Sequence, residues 1–527
     1  MESRGLSLLG FGSGAAGGTV WRAINPATGE KLLPDFHSAG TSDLERATRL
    51  AVGAAPLLAR SSGAERGRLL RAIASRLESV VAELAARAHA ETALPTGRCQ
   101  GEVARTVGQL RLFAAVAEAG DWCDARIETA LPDRKPIPKP DHRSMFRAIG
   151  PVAVFGASNF PFAFSTAGGD TASALAAGNP VIVKAHPAHP GTAELVGRCV
   201  LEAVRETGFP EGTFSVLFDS GYEIGAALAG HPAIKAVGFT GSRKGGLALM
   251  EIAARRAEPI PVFAEMSAVN PVFVASQALA ARSAAIADGL LQSVTMGVGQ
   301  FCTNPGLIVV EASPFATEFM AQLASRFAQV AAEPMLTAGI HAAFARGVEA
   351  RTSERGVRLV ARGGEGAAGC AQAALFATDA TTFLRTPALG AEIFGPTTLV
   401  IECREHAEML AVAAQMEGSL TATIHAEDGD DVAELAGRLA ERAGRVLFGG
   451  YPTGVEVSPA MVHGGPFPAT SDARTTSVGS RAIYRFVRLI CFQGFPDRLL
   501  PPELQNANPL GLLRLVDGQF SRDPMLP

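Results

Sequence analysis

The first quarter of the chain carries apolar residues at helical spacing. Between residues 42 and 120 they recur every three or four positions, as in Leu70, Ile73 and Leu77, which is the period of an amphipathic helix. Residues 127–147 break this pattern, because proline and charged residues alternate there. Proline cannot donate a hydrogen bond to a neighbouring strand, so we predict that this segment is an extended arm or an edge hairpin.

From residue 148 onward, short apolar runs alternate with helical patterns. The predicted strands and the helices between them are 152–155, 166–177, 181–183, 193–207, 214–217, 223–228 and 236–239. Strands that alternate with helices form parallel β-α-β units, so we expect a doubly wound parallel sheet of the nucleotide-binding type. A second α/β stretch runs from about Pro271 to Val462, and a loop-rich tail follows Gly464.

Composition narrows the class of protein. Hydrophobic residues make up 47% and charged residues 19% of the 527 residues, which is the balance of a globular chain of several domains. The net charge of −4 lacks the basic excess that binding to nucleic acid requires. The seven cysteines are scattered and include no CxxC pair. This pattern argues against a disulfide framework or a zinc ribbon, and it predicts a reducing, cytoplasmic setting.

Three segments resemble a signal peptide, a phosphate-binding loop and a membrane helix, and in each the surrounding residues argue against that interpretation. The apolar run after Arg4 is short and interrupted by glycine, so we expect no cleaved signal peptide. Gly12–Gly17 matches GxGxxG, but no proper strand precedes it and Pro26 follows soon after, so we interpret it as a flexible lead. The nearly uncharged stretch from Gly150 to Val183 contains prolines and asparagines that argue against a membrane helix.

Two residues in the second half of the chain are candidates for covalent and acid–base chemistry. Cys302 lies in a glycine-rich polar turn, GQFCTNPG. A cysteine in a core is usually an inert small hydrophobe, whereas a thiolate in such a turn is a strong nucleophile. Glu265 stands between apolar neighbours in FAEMS. It is either a paired structural charge or a general base whose pKa is raised by burial.

Polar residues also follow two of the predicted strands. Asn159, before a bulky residue and a proline, is either an ordinary turn residue or a donor to an oxyanion. Lys184 ends a parallel strand, where ligands bind in such sheets, although a lysine at this point is often merely solvated. His186 and His189 lie among prolines with no adjoining carboxylate or cysteine cluster, so we expect no metal site there.

Six motifs occur together in an order and spacing that identify a family. They begin at Gly150 and read GPVAVFGASNFPFAFS, NPVIVKAHPAHPGT, GFTGSRKGG, FAEMSAVNP, GQFCTNPG and EIFGP. Over nearly its whole length the chain resembles the aldehyde dehydrogenase superfamily. The segment KAHPAHPGT, the cysteine turn and the tail GFPDRLLPPELQNANPLGLLRLVDG are similar to the α-ketoglutarate semialdehyde (2,5-dioxopentanoate) dehydrogenase branch. They also resemble an NADP-using bacterial fatty aldehyde dehydrogenase.

The resemblance implies an α/β, aldehyde dehydrogenase-like fold in three parts. These parts are a doubly wound cofactor-binding domain (1–122 and 148–266), an α/β catalytic domain (267–463), and an oligomerisation arm with a C-terminal extension (123–147 and 464–527). It also implies an NAD(P)-dependent enzyme that oxidises a small aldehyde to an acid and assembles as a homodimer or homotetramer. The branch resemblance suggests that the aldehyde is α-ketoglutarate semialdehyde.

The resemblance also assigns roles to the candidate catalytic residues. Cys302 would attack the aldehyde and carry the acyl group as a thioester. The side chain of Asn159 and the backbone N–H of Cys302 would hold the oxyanion. Glu265 would activate the water that releases the acid, and its presence favours hydrolysis over acyl transfer to coenzyme A.

A second set of residues would contact the cofactor. Lys184 is expected on the ribose, Gly241 and Ser242 on the pyrophosphate at a helix N-terminus, and Glu392 with Phe394 on the nicotinamide ribose and ring. The full expected set is Lys184, Pro187, Gly221, Gly241, Ser242, Glu392 and Phe394.

One position departs from the family pattern and bears on the choice of cofactor. NAD-preferring members commonly carry glutamate three residues after the strand-end lysine, where this chain has Pro187. No carboxylate at that position would repel a 2′-phosphate. However, residues 220–223, where a phosphate-binding arginine might be sought, read Ser-Gly-Tyr-Glu. The sequence therefore leaves NAD and NADP open.

The substrate is less well defined by the sequence. Phe160, Phe162 and Phe301 are expected at the mouth of the substrate channel, where they favour an apolar or narrow passage. A dicarboxylate semialdehyde would need a cation there. Arg105 and Arg111 are candidates, but we interpret both as solvated helix residues. A fatty or other aliphatic aldehyde, a coenzyme A-acylating or acyl-phosphate reductase on the same fold, and a catalytically silent homologue remain as alternatives.

Overall fold

Three multi-stranded β-sheets organise residues 4–525, the part of the chain that this computed structural model describes. The helices are α1 (Thr41–Arg60), α2 (Gly63–Ser79), α3 (Val81–Thr92), α4 (Thr96–Ala119), α5 (Gly169–Ala177), α6 (Pro190–Glu206), α7 (Glu223–Gly230), α8 (Arg243–Ala254), α9 (Ser276–Thr295), α10 (Pro314–Phe327), α11 (Ala338–Ser353), α12 (Ala380–Arg385), α13 (His406–Gln415) and α14 (Ala433–Ala440). The strands are β1 (Leu8–Leu9), β2 (Gly12–Ser13), β3 (Val20–Ile24), β4 (Lys31–His37), β5 (Arg126–Glu128), β6 (His142–Ala148), β7 (Val152–Phe155), β8 (Val181–Lys184), β9 (Phe214–Leu217), β10 (Ala236–Thr240), β11 (Val262–Glu265), β12 (Val272–Val274), β13 (Leu307–Glu311), β14 (Glu333–Pro334), β15 (Arg358–Arg362), β16 (Cys370–Ala371), β17 (Ala374–Asp379), β18 (Thr397–Cys403), β19 (Ser419–His425), β20 (Ala443–Phe448), β21 (Val487–Gln493), β22 (Arg514–Val516) and β23 (Gln519–Ser521).

The first sheet has the order β11-β10-β7-β8-β9-β1-β2, and its strands from β11 to β9 are parallel. The predicted doubly wound sheet is therefore confirmed, with strands at or within one residue of the predicted positions. Helix α5 begins at Gly169, three residues later than predicted. The preceding chain is held in turns instead, because the N–H groups of Gly168 and Gly169 donate to the carbonyls of Ser165 and Ala163.

The interpretation of the N-terminal segment as a flexible lead is wrong. Strand β1 pairs antiparallel with β9, and its residues Leu8 and Leu9 are 4% and 0% exposed. Burying a leucine side chain contributes about 1.5–3 kcal/mol, which explains why this short segment is held against the sheet. Gly12–Ser13 pairs with β1 as the outermost strand, and from residue 4 onward no α-helix begins before Thr41. The GxGxxG match is therefore a hairpin and not a phosphate-binding loop.

The second sheet has the order β15-β17-β18-β13-β12-β19-β20, in which β15 alone pairs antiparallel with its neighbour. Its inner strands, β17, β18, β13, β12 and β19, are almost wholly buried because both faces of the sheet are covered there. Helices α9 and α10 pack on one face through residues such as Ile286 and Phe319, and α11 to α14 pack on the other through residues such as Phe344 and Met409.

The third sheet joins the proline-rich arm to the tail of the chain. Its order is β21-β6-β5-β22-β23, so two strands from residues 126–148 pair with three from residues 487–521. The predicted hairpin is present as the antiparallel pair β5–β6. Its predicted place at the edge of a sheet is wrong, because β21 and β22 pair with its two outer sides. Within residues 4–525, no helix is both long enough and apolar enough to cross a bilayer.

Candidate active site

The Cys302 turn lies between the second sheet and the end of the first. The turn is closed by the N–H of Asn304, which donates to the Phe301 carbonyl at 3.1 Å. Asn270, which is fully buried and has a left-handed φ of 47°, holds the turn through its side chain. Its Nδ2 donates to the carbonyls of Cys302 and Asn304 at 2.8 and 3.0 Å, while its Oδ1 accepts two hydrogen bonds from Thr421.

A close backbone contact joins this turn to the EIFGP loop. Asn304 donates from Nδ2 to the carbonyls of Gly299 and Gly395 at 2.8 and 2.9 Å. Gly299 has a φ of +64°, and a Cβ atom there would lie 2.3 Å from the carbonyl group of Gly395. Only glycine permits this approach, so the loop that carries Glu392 and Phe394 is held directly against the Cys302 turn.

Cys302 and Glu265 meet at a histidine that the sequence analysis did not identify. Cys302 Sγ lies 3.5 Å from His463 Nε2, and His463 Nε2 lies 2.9 Å from Glu265 Oε1. Ser477 Oγ donates to Glu265 Oε2 at 2.8 Å. A carboxylate only accepts hydrogen bonds, so Nε2 of His463 must carry the proton. We call Cys302, Glu265, His463 and Ser477 the nucleophile cluster.

The ionisation of this cluster differs from the sequence-based expectation. Burial raises the pKa of the Cys302 thiol well above its usual range, and the nearby Glu265 carboxylate raises it further. Burial also acts to raise the pKa of Glu265, but the contacts with His463, Ser477 and Cys302 outweigh it and lower that pKa. The predicted upward shift of the Glu265 pKa is therefore wrong, because burial is offset by hydrogen-bond donors that the sequence did not reveal.

The nucleophile cluster also has the donor types of a metal site. The donor atoms of Glu265, Cys302 and His463 all lie within 4.8 Å of one another. His186 and His189, by contrast, stack on each other with ring centroids 5.6 Å apart and bond to backbone atoms. His189 Nε2 lies 2.8 Å from the Ala157 carbonyl oxygen, so this ring nitrogen is engaged by the fold.

Asn159 is buried beside the Cys302 turn. Its side-chain Nδ2 donates to the Gln300 carbonyl at 2.9 Å, and its backbone carbonyl accepts a hydrogen bond from Arg98 Nη2 at 2.9 Å. An amide nitrogen has two hydrogens, so one remains for another acceptor. Both the side chain and the backbone of Asn159 are therefore held by hydrogen bonds, while one N–H of its Nδ2 remains free to donate.

Three aromatic rings cover the approach to the nucleophile cluster. The ring of Phe160 contacts those of Phe164 and Phe301 edge-on, with centroids 5.3 and 5.2 Å apart, and Phe164 lies 5.7 Å from the His463 ring. Phe162 was expected at the channel mouth, but its side chain is 2% exposed in the core around the first sheet. Its neighbour Phe164 faces the site instead, because the chain reverses in the turns before α5.

The two candidate arginines of α4 lie in different surroundings. Arg111 donates to Glu78 at 2.6 Å on the surface, as expected of a solvated residue. Arg105 does not fit that interpretation. It is partly buried, its Nε and Nη2 atoms are buried, and its guanidinium carbon lies 5.1 Å from the centroid of Phe164. The helical period places these two arginines on different faces of α4, since they are six residues apart.

A crevice at the carboxyl ends of the first sheet contains the residues predicted to bind the cofactor ribose. Lys184 ends β8, and its Nζ donates to the Asp219 carbonyl at 2.9 Å. Burial lowers the pKa of Lys184 to about 8, while the charges of Asp219 and Glu223 act in the opposite direction. Gly221 donates its N–H to the Asp219 carboxylate at 3.0 Å. Pro187 lies in the turn between β8 and α6, partly buried.

The start of α8 forms the next part of this crevice. Ser242 caps the helix by accepting the N–H of Gly245 at 3.2 Å. The N–H of Gly241 donates to the Glu265 carbonyl at 3.1 Å, and a Cβ atom on Gly241 would lie 2.7 Å from the ring of Phe239. A helix N-terminus with small residues offers N–H groups to a phosphate, so these residues fit a pyrophosphate.

Glu392 and Phe394 complete the crevice on the side of the catalytic turn. Burial raises the pKa of Glu392 to about 7, against hydrogen bonds from the Ser267 side chain and the Ala268 N–H. Phe394 is partly buried in the same loop. A carboxyl and a ring in the loop that packs against the Cys302 turn fit a nicotinamide ribose and ring. Cofactor and nucleophile groups thus converge on one region.

Four residues of this region had no role in the sequence analysis. His463 precedes two glycines in VHGGP, and a histidine in such a turn is a signal in the sequence for a functional residue. Ser477, Asn270 and Phe164 lie in ordinary serine-rich, turn or apolar contexts. Their partners are up to 212 residues away along the chain, so no local pattern could pair them.

Comparisons with known proteins agree with this geometry. A model of the aldehyde dehydrogenase family matches residues 14–466. Alpha-ketoglutaric semialdehyde dehydrogenase 2 of Azospirillum brasilense is 50% identical over 98% of this chain and 100% of its own. Alpha-ketoglutaric semialdehyde dehydrogenase of Acinetobacter baylyi is 44% identical over 99% and 100%.

Solved structures confirm the fold. A gamma-glutamyl-gamma-aminobutyraldehyde dehydrogenase from Burkholderia cenocepacia has a TM-score of 0.80 at 22% identity and covers 94% of this chain and 97% of its own. A 1-pyrroline-5-carboxylate dehydrogenase from Thermus with bound NAD has a TM-score of 0.79 at 22% identity and covers 93% and 92%. The predicted family, branch resemblance and fold are confirmed. The chain belongs to the aldehyde dehydrogenase family of NAD(P)-dependent oxidoreductases.

Proposed function

We propose that this protein oxidises α-ketoglutarate semialdehyde to α-ketoglutarate, with Cys302 as the nucleophile. The observation that carries the proposal is the nucleophile cluster, in which a thiol, a protonated imidazole nitrogen and a carboxylate lie within 4.8 Å of one another. Two relatives that bear this activity in their names are 50% and 44% identical to the chain over nearly its whole length, and this similarity supports the choice of substrate.

Acylation begins when Cys302 loses its proton and attacks the aldehyde carbon. The raised pKa of the thiol keeps it neutral in the resting protein, which protects it from unwanted reaction. The Glu265 carboxylate is the nearby acceptor for the proton, and His463 Nε2 bridges the two groups at 3.5 and 2.9 Å. As Sγ becomes negative, the Nε2 proton can turn from Glu265 towards the sulfur.

The aldehyde oxygen becomes an oxyanion in this step. The second N–H of Asn159 and the backbone N–H of Cys302 would donate to it. The bond to the Gln300 carbonyl orients the Asn159 side-chain amide, and the bond from Arg98 to the Asn159 backbone carbonyl holds the backbone. Loss of one such donor typically slows the reaction about 10²–10³-fold.

The residues of the crevice fit the dinucleotide that the family uses. When bound, its nicotinamide accepts the hydride that leaves the tetrahedral carbon. Lys184 would bind ribose hydroxyls through Nζ, and the N-terminus of α8 behind Ser242 would hold the pyrophosphate. Glu392 and Phe394 would orient the nicotinamide end, with Pro187 and Gly221 beside the adenosine ribose.

Deacylation requires an activated water. Glu265 must first release to solvent the proton that it accepted from Cys302, and its lowered pKa favours this release at neutral pH. The carboxylate can then accept a proton from water. Ser477 and His463 hold both of its oxygens. A carboxylate already at this position favours hydrolysis over transfer of the acyl group to coenzyme A.

Cofactor choice follows from the charge around Lys184. Glu223 stands at the start of α7, and both it and Asp219 interact electrostatically with Lys184. We propose that Glu223 substitutes for the glutamate that is absent at Pro187, binds the ribose hydroxyls and disfavours a 2′-phosphate. The preferred cofactor is then NAD.

We further propose that the third sheet is the assembly element of a homodimer or homotetramer. It combines the arm (123–147) with the tail (464–527), outside the cofactor part (1–122 and 148–266) and the catalytic part (267–463). Large apolar side chains on or beside it are exposed, among them Leu489 at 62% and Phe520 at 70%, as expected of a surface that another copy covers.

All seven cysteines are free, which fits a reducing cytoplasm.

Initial rates with α-ketoglutarate semialdehyde and with a long-chain aldehyde, each with NAD⁺ and NADP⁺, test the proposal. We expect turnover that strongly favours the semialdehyde with NAD⁺ and disappears in Cys302→Ala. A preference for the long-chain aldehyde would contradict the substrate. Product formed only when coenzyme A is added would favour an acylating enzyme, and the absence of turnover with every pair would favour a silent homologue.

A further inference from the structure

A cationic side chain without a hydrogen-bond partner lies on the substrate side of the nucleophile. Nε and Nη2 of Arg105 are buried and make no hydrogen bond. Burying polar hydrogens without acceptors costs free energy, more so on a charged group, and native structures retain such groups where they serve a purpose. An anion that binds between these hydrogens would remove the cost.

The position of Arg105 relates it to the reacting atoms. Its guanidinium carbon lies 5.1 Å from the centroid of Phe164 and 5.8 Å from that of Phe160. The ring of Phe164 also contacts that of His463, at 5.7 Å between ring centroids, and His463 contacts Cys302 Sγ. Arg105 also interacts electrostatically with Cys302 and Glu265. The cation is therefore about one aromatic ring away from the nucleophile cluster.

The other groups of this region are already engaged. Arg98, two turns earlier on α4, stacks on Phe301 at 4.8 Å and donates to the Asn159 carbonyl. Arg445, which also interacts with the charge of Cys302, donates from Nη1 and Nη2 to the carbonyls of Gly454 and Pro452 at 3.1 and 2.7 Å, while its Nε is buried without a partner. Both guanidinium groups hold the chain in place.

The acidic residues near Arg105 do not satisfy it. Glu102, one turn earlier on α4, uses Oε1 to accept the N–H groups of Phe162 and Ala163 at 2.8 and 3.0 Å. Its Oε2 is buried without a partner, and neither oxygen is hydrogen-bonded to Arg105. Glu456 acts on Arg105 from the opposite loop, but it is exposed and accepts the N–H of Val457.

We infer that Arg105 binds the distal carboxylate of the substrate and selects semialdehydes of short carboxylic acids over uncharged aldehydes. This inference rests on the proposed function and names the residue that gives it its specificity. A guanidinium presents two parallel N–H groups that match a carboxylate, and the match is strong where water is excluded. Four carbon–carbon bonds of about 1.5 Å span roughly 5 Å. This length suits a five-carbon chain lying along Phe164, with its aldehyde at Cys302 and its carboxylate at Arg105.

The main competing explanation is that Arg105 merely favours the thiolate, since its charge acts to lower the pKa of Cys302. That effect would be the same for every aldehyde. The two roles are therefore separated by substrates of equal length with and without the carboxylate. Pentanal is the uncharged five-carbon aldehyde, and glutarate semialdehyde, which differs from pentanal in the carboxylate alone, separates the effect of the carboxylate from that of the 2-oxo group.

The experiment measures kcat/KM for the three aldehydes in wild type, Arg105→Met and Arg105→Lys. We expect Arg105→Met to lower kcat/KM for both semialdehydes about 10²-fold or more, mainly through KM, because truncating a buried charge partner is costly. The value for pentanal should change less than about threefold, and lysine should restore part of the loss. Arg111→Met, on the same helix but ion-paired with Glu78 at the surface, is the matched control. Equal losses for the three aldehydes, or none, would overturn the inference.

A second measurement does not depend on turnover. Glutarate, a five-carbon dicarboxylate, should slow alkylation of Cys302 by iodoacetamide in wild type and in Arg111→Met, but not in Arg105→Met. If wild type does not oxidise α-ketoglutarate semialdehyde yet glutarate protects Cys302 through Arg105, the proposed substrate fails and the carboxylate site stands. Protection that survives in Arg105→Met, or no protection of wild type, removes the site. Thermal unfolding confirms that each variant is folded.

Discussion

The polar groups on the two sides of Cys302 differ in whether their hydrogen bonds are satisfied within the protein. On one side, both oxygens of Glu265 are occupied, by His463 at 2.9 Å and Ser477 at 2.8 Å. On the other side, Arg105 keeps buried N–H groups without acceptors. Groups that transfer protons need a fixed geometry before the substrate arrives, and internal hydrogen bonds supply it. A group that binds substrate must keep its hydrogen-bonding capacity free, so the unsatisfied side is the one that a ligand completes.

The largest expected effect lies on the satisfied side. Cys302→Ala should reduce kcat by at least about 10³-fold, because no other group near the site can form a thioester. Steady-state rates with the semialdehyde and NAD⁺ measure it. Cys370→Ala, which removes another partly buried thiol, should retain wild-type rates. Substantial turnover in Cys302→Ala would break the assignment of the nucleophile.

Glu265→Gln should slow steady-state turnover about 10²–10⁴-fold, since it removes the general base for deacylation. Acylation precedes this step, and the Cys302 thiol of the variant can lose its proton to solvent because the Glu265 charge no longer raises its pKa. A rapid burst of reduced cofactor equal to the number of active sites should therefore remain in stopped-flow traces. A variant that turns over like wild type would show that Glu265 only holds His463 in place.

The same variant should have the opposite effect on the reactivity of the free thiol. Glu265 raises the pKa of Cys302 by its charge and hydrogen bond, on top of burial. Alkylation of wild type should therefore be slow at neutral pH and rise with pH through the alkaline range. In Glu265→Gln the thiol pKa falls, and alkylation at pH 8 should speed up, with a tenfold increase for a pKa lower by about one. Unchanged or slower alkylation would contradict the electrostatic account.

In the cofactor crevice, Lys184→Met should raise KM for NAD⁺ about 10–100-fold. The variant loses one charge-assisted hydrogen bond, worth about 1.5–3 kcal/mol. The low pKa of Lys184, about 8, adds a pH dependence. Because the charged form binds, KM for NAD⁺ should rise as the pH passes above 8 in wild type but not in the variant. A flat wild-type profile would mean that Lys184 does not contact the ribose.

The smallest effect is expected at Glu223. Glu223→Gln should lower the NAD⁺ to NADP⁺ ratio of kcat/KM about fivefold, because the exposed carboxylate contributes about 1 kcal/mol of repulsion to a 2′-phosphate. Glu417→Gln, at another exposed glutamate that pairs with Arg243, controls for loss of surface charge. A ratio that stays constant would remove Glu223 from cofactor selection.

Local patterns in the sequence were sufficient for the elements of the first sheet and for the helices before it. Strands such as Val152–Phe155 and Phe214–Leu217 lie where continuous apolar runs predict them, because such runs are stable only when both faces are buried. The prediction failed where neighbours distant in sequence decide the outcome. Leu8 and Leu9 belong to the sheet because β9 accepts them, and Phe162 points into the core while Phe164 faces the site.

By itself, the sequence determined the family, the parallel sheet and the identities of Cys302, Glu265, Asn159 and Lys184 as candidates, because each lies in a motif of adjoining residues. Only the tertiary structure brought His463 and Ser477 to Glu265 and left Arg105 without a partner. Sequence spacing specifies backbone turns, whereas pKa values and free hydrogen-bonding capacity depend on which groups from distant segments meet at a few ångströms. The sequence therefore named the nucleophile and the base, and the packing of the sheets decided how each is ionised and what remains to hold the substrate.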